Sequence, residues 1–198
     1  MDGLERFVVQ EIQDWSAHAL EQPNLSFNEI PACPYAEKAW KENRVAFSFL
    51  YEECSQTLTT LLSTFDDSKD VVILVDFSFE EDAEAFHQAL ERVNRAISEG
   101  CYIQRDLWVM GFHPFDDPNE LIDDNTFSPS VNEPYAMVFI QRLSALQEAS
   151  NKIREAGYYE AYDQQYDITK MLRKRQETYR RLKNGNVTQE KNAKRRHG

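Results

Sequence analysis

A chain of 198 residues, 41% hydrophobic, 28% charged and 12% aromatic, is long enough for one well-buried core plus an appendage, and its aromatic content excludes a wholly disordered protein. No apolar run approaches the roughly 20 residues of a membrane-spanning helix, and the opening segment carries acids where an export signal needs a basic start and an apolar middle, so membrane-embedded and exported classes are set aside. The net charge of -12 divides unevenly: eleven Lys or Arg against two Glu lie from Lys170 onward, which leaves eleven basic and thirty-two acidic residues before it. An acidic body repels nucleic acid over most of its surface, so only the basic end is a candidate for phosphate contact.

In chain order, residues 4–20 place Leu4, Phe7, Val8, Ile12, Trp15 and Leu20 at helical spacings, predicting an amphipathic first helix. After the loop from Pro23 to Ile30, Pro34 suits the first position of a short helix reaching about Glu42. The stretch 44–51 alternates as a strand, and Leu58, Leu61, Leu62 and Phe65 share a helical face. The run 71–77, VVILVDF, predicts a strand covered on both faces. A long helix follows, with Ser78 as cap, Glu81 completing a capping box, the stripe Ala83, Phe86, Leu90, Val93, Ile97, and Gly100 as its stop.

Residues 102–112 read as a third strand. From His113 to Pro134, four prolines and a set of acids without periodicity predict a long loop, a length usually tied to function. Residues 135–144 read as a fourth strand, with a helix from Pro134 as rival, and a helix closed by Gly157 follows. The expected organisation is a globular domain over 1–157, a basic helix over 158–184 with Ile168, Met171, Leu172, Tyr179 and Leu182 on one side, and a disordered polar tail over 185–198. Strands separated by helices imply an α+β fold, a sheet of about four strands backed by helices, with a ferredoxin-like order as one candidate topology. Six glycines form no phosphate-binding loop of either common type.

Chemistry is expected at few places. Cys33 precedes Pro34 at a helix start, where unpaired N–H groups favour a thiolate, and Lys38 or Arg44 supplies a cation; the plain alternative is a small side chain packed under the first helix. His113 ends a strand in GFHPF, where Gly111 lets the backbone bend and the imidazole is placed to take a proton from a thiol or substrate; pairing with backbone at the turn is the alternative. Arg142, in an apolar stretch, needs a carboxylate or an anion, with Asp76 as the expected partner, and Asn132 and Tyr135 at the entry to that segment line the same pocket. The acids Asp116, Asp117, Glu120, Asp123 and Asp124 lack EF-hand spacing and read as a solvated lid. Cys33, Cys54 and Cys101 form no even disulfide framework and no CxxC pair for zinc, which fits a reducing cytoplasm.

Taken in order, ACPYAEKA, VVILVDF, GFHP and PYAMVFIQRLSALQEAS resemble a bacterial domain family of unknown function whose members carry CPF, FHP and a Ser-Pro-Tyr-Pro segment followed by an Arg-bearing LLRE stretch. The resemblance covers about residues 5–155 and implies that Cys33, Pro34, His113, Pro114, Tyr135 and Arg142 occupy that family's motif positions. It departs at Asp76, where the family has a His, and at Asn132-Glu133, which replaces an Asn-Arg pair.

Two functional readings follow. One is a thiol-dependent enzyme acting on a small anionic substrate, with Cys33 as nucleophile, His113 as base or orienter, and Arg142, Tyr135, Asp76 and Asn132 around the substrate; no cofactor is specified by the sequence and no metal is expected. The other is a non-catalytic acidic interaction or inhibitor protein that binds a protein partner through charge, at a surface meant for nucleic acid. A weaker third has the basic segment 170–183 contact nucleic acid directly, with Tyr179 among its cations.

Overall fold

The computed structural model describes residues 1–52, 55–79, 82–101, 105–116, 135–160 and 172–184. The first helix, α1 (Gly3–Trp15), is opened by a reciprocal capping box between Asp2 and Glu5 and runs on into a π-helical turn, Ser16–Leu20. A two-residue ribbon, β1 (Pro23–Asn24) with β2 (Ile30–Pro31), leads to the short α2 (Ala36–Lys41). There follow β3 (Val45–Leu50), α3 (Ser55–Ser63), β4 (Val71–Asp76), α4 (Ala83–Ser98), β5 (Leu107–Phe112), β6 (Met137–Arg142) and α5 (Leu143–Glu155), and residues 172–184 are helical.

The fold is α+β, a four-stranded mixed sheet in the order β3-β4-β6-β5 backed by helices. β3 and β4 are parallel, and β6 runs antiparallel to both β4 and β5. β4, α4, β5 and β6 thus make a split β-α-β unit, with β6 inserted between two strands of common direction. The ferredoxin-like order corrects to a different one at the remaining edge. Its outer strand would arrive antiparallel from later in the chain, whereas here β3 comes first and is tied to β4 through α3, a crossover that enforces parallel pairing.

β4 is buried on both sides, as its β-branched run predicts: Val72 and Leu74 face the cluster containing Leu62, Phe86 and Leu90, while Ile73 and Val75 face Val8, Ile12 and Trp15 of α1. Helices therefore cover both faces of the sheet. Gly111 serves close packing, since a Cβ there would fall 2.6 Å from Phe86 Cε1 on α4. The helical segment 172–184 closes a third cluster, in which Tyr179 and Leu182 meet Ile97, Trp108 and Leu143. Its composition is basic, but its inner side is core.

Several boundaries shift for identifiable reasons. The cap of α4 is Asp82, which accepts from the Ala85 N–H; Ser78 instead donates to Asp76, and Glu81 lies outside the described residues. The short helix after Pro34 starts at Ala36, two residues beyond the position expected for it. Residues 137–142 are a strand, and α5 begins at once because Asp106, at φ 54°, accepts from the Ser144 N–H while its carbonyl takes the Leu143 N–H. The tail over 185–198 lies outside the described residues, as does most of the acidic loop, from Asp117 to Pro134. Among the described residues, no helix is long and apolar enough to cross a membrane.

Candidate functional site

Cys33 sits in the turn ahead of α2, its N–H donating to the Leu20 carbonyl at 2.8 Å and its carbonyl taking the Ala36 N–H at 3.1 Å. The neighbouring Ala32 carbonyl accepts from the Tyr158 hydroxyl, so the whole turn is pinned between the end of α1 and the chain after α5. The N–H groups of Tyr35 and Ala36 do act on the sulfur, as a helix start should, and pull its pKa down. Burial outweighs them, and Glu21 pushes the same way, so the thiol is raised above its ordinary value of 9.0. The expectation of a thiolate is corrected: loss of hydration costs the anion more than two N–H groups return.

His113 is fully buried. Its ring packs 5.4 Å from Phe86 of α4 and 5.8 Å from Phe115, and its Nδ1 accepts the Phe115 N–H at 3.1 Å. Nδ1 therefore carries no proton, and its lone pair is engaged by the backbone. Asp116 holds the turn, taking the His113 N–H at 2.8 Å while its other oxygen meets His87 Nε2 at 2.5 Å. The preceding residue, Phe112, faces the other way, 5.4 Å from Trp15 of α1. The imidazole thus lies on the α4 face of the sheet, and Cys33, tied to Leu20, belongs to the α1 layer.

Arg142 lies at the other end of the sheet from His113. Register pairs Phe112 with Met137 and Leu107 with Arg142, so Arg142 and His113, one residue beyond Phe112, stand at opposite ends of the same strand pair, about 20 Å apart along it. Arg142 pairs with Asp67 at 2.6 Å and lies 5.5 Å over the Phe65 ring. Its expected partner Asp76 is corrected, because Asp76 sits at the His113 end, buried, accepting from the Ser78 N–H at 2.9 Å and from its hydroxyl. Tyr135 shares that end; its hydroxyl donates to Glu11 at 2.5 Å and its ring meets Phe77 edge-on. Asn132 lies outside the described residues. Of the expected set, the structure gathers Asp76, His113 and Tyr135 at one end of the sheet and holds Cys33 and Arg142 elsewhere.

The residues that do converge are others. Where α5 ends and residues 172–184 pack against it, a cleft of about 570 Å³ is lined by Arg154, Arg173 and Arg180 together with Tyr159, Leu172 and Glu177. Behind it Arg175 is 3% exposed and donates to Ser150 Oγ at 2.7 Å. The sequence did carry a signal for this face: positions 173, 177 and 180 repeat at helical spacing, but Arg154 joins them only through the tertiary fold. Among the described residues, no group of three or more His, Cys, Asp or Glu is placed to hold a metal ion. No family model, curated protein or solved structure matches the chain.

Proposed function

We propose that this chain is a non-catalytic acidic interaction protein that binds a basic protein partner through its carboxylate surface, at a face the partner otherwise offers to nucleic acid. The observation that carries this reading is the state of the carboxylates. Glu52, Asp66, Asp82, Glu84, Glu91 and Glu99 are exposed, and among the described residues none of them is in an ion pair. Asp66 is further held ionised by the Ser68 N–H and hydroxyl, which lower its pKa. Unpaired surface acids add little to folding, but they set a field that speeds association with a basic partner and opposes nucleic acid. The enzymatic alternative, Cys33 and His113 acting on a small anion held by Arg142, draws no support from a protonated thiol, a sealed imidazole and a guanidinium at the far end of the sheet.

The test is displacement of labelled duplex DNA from a panel of basic DNA-binding domains. The intact chain should displace DNA from at least one, and the variant Asp82→Asn, Glu84→Gln, Glu91→Gln, Glu99→Gln should lose most of that capacity; Asn keeps the helix cap. Displacement no better than that by an unrelated protein of equal net charge would overturn the reading, as would an activity that vanishes with Cys33→Ala.

A further inference from the structure

The cleft between α5 and residues 172–184 runs against the charge of the body. Three guanidiniums, Arg154, Arg173 and Arg180, line it against one carboxylate, Glu177. Among the described residues, none of the three is engaged in an ion pair. Behind them Arg175 is buried with its Nε unpartnered, held by Ser150 and Tyr159 and by no carboxylate ion pair among the described residues. Desolvation disfavours its charge, and the nearby positive charge of Arg154 adds to the penalty. A chain with far more acids than bases before Lys170 has had every opportunity to neutralise this spot and leaves it positive.

From this arrangement we infer that the cleft is a binding site for a small organic phosphate of about mononucleotide size. Planar guanidiniums match phosphoryl oxygens in bidentate fashion, and several converging on one hollow suit a group that carries more than one negative charge. The volume lies in the range of small-molecule sites. Tyr159 and Leu172 supply the apolar contact for a ring or carbon skeleton, so the ligand is a phosphoryl group on an organic carrier. This inference stands apart from the acidic surface: neither the carboxylates of α4 nor the DNA-displacement assay enters it.

Calorimetric titration of the full chain with pyrophosphate, adenosine diphosphate, sulfate and a short single-stranded oligonucleotide tests it. Adenosine diphosphate and pyrophosphate should bind at least tenfold more tightly than sulfate, and adenosine diphosphate more tightly than pyrophosphate. Arg173→Gln with Arg180→Gln should weaken binding at least tenfold with the melting temperature unchanged, because both residues are exposed. Lys174→Gln, exposed on the same helix and outside the cleft lining, should change affinity less than twofold, and Glu177→Gln should tighten it. Three results would overturn the inference: no heat with either phosphate ligand, equal weakening by Lys174→Gln, or an oligonucleotide that outcompetes adenosine diphosphate with a steep salt dependence. The last would mark the helix as a nucleic-acid contact instead.

Discussion

Two segments of this chain invite opposite readings that the structure exchanges. The turn at residues 31–36 carries a cysteine before a helix and looks like chemistry; residues 172–184 are crowded with Lys and Arg around a sparse apolar stripe and look like a basic appendage to the domain before them. In the fold, the turn is a strut, its backbone tied to Leu20 and Tyr158 and its thiol desolvated. The basic helix is a wall of the core, burying Leu172, Arg175, Thr178, Tyr179 and Leu182. Which side of a helix faces inward is decided by spacing, and overall charge says nothing about it. Five residues at positions one, four, seven, eight and eleven of the segment make a continuous stripe whatever lies between them.

Removing the basic helix should have the largest effect on the fold. Ending the chain at residue 171 should unfold it or leave it without a cooperative transition, because Ile97, Trp108 and Leu143 would lose their cover. The milder Leu182→Ala should cost about 2–5 kcal/mol in urea denaturation. A truncated chain with an unchanged midpoint would show that the helix rides on the body without supporting it.

Arg175 sharpens the same contrast at smaller scale. A guanidinium buried without a carboxylate partner among the described residues is a poor source of stability, so Arg175→Met, which keeps the length and drops the charge, should raise the urea midpoint by about 1 kcal/mol equivalent. Arg175→Ala should lower it, since the stem packs within the helix interface. If Met destabilises as much as Ala, the charge itself is holding α5 to residues 172–184.

These cases also mark what could be read along the chain. The stripe Leu172, Tyr179, Leu182 was legible as an amphipathic face, as were the helix Ala83–Ser98 and the doubly covered strand Val71–Asp76, because period and β-branching are local signals. The position of β3 beside β4 was not, since strand order depends on long-range pairing that no window of sequence contains. The cluster of candidate site residues failed for the same reason. Cys33, His113 and Arg142 each had a sound local argument, and their convergence was an additional assumption about the sheet, which register and face alternation then decided. Asp106 capping α5 from another segment, and Asp67 answering Arg142 where Asp76 was expected, belong to the same kind of information.

The smallest expected effect lies at the turn, and it discriminates most finely between the two segments. In native protein at pH 7, an alkylating probe followed by peptide mass analysis should modify Cys101, which stands exposed, well before Cys33. Labelling of Cys33 should stay slow near neutrality and keep accelerating into the alkaline range beyond pH 9, because its pKa lies above the ordinary value of 9.0. The same shift fixes a sign for stability. The folded state holds the Cys33 proton more tightly than the unfolded chain does, so its contribution is complete below the unfolded value and is lost as the pH climbs through the folded one. Stability should therefore decline in the alkaline range in the parent chain and decline less in Cys33→Ala, whose own cost near neutrality should stay within about 1 kcal/mol. Fast, selective labelling of Cys33 at neutral pH would reverse the assignment, because desolvation and Glu21 both reduce the thiolate fraction of this thiol, and the turn would then be a reactive site.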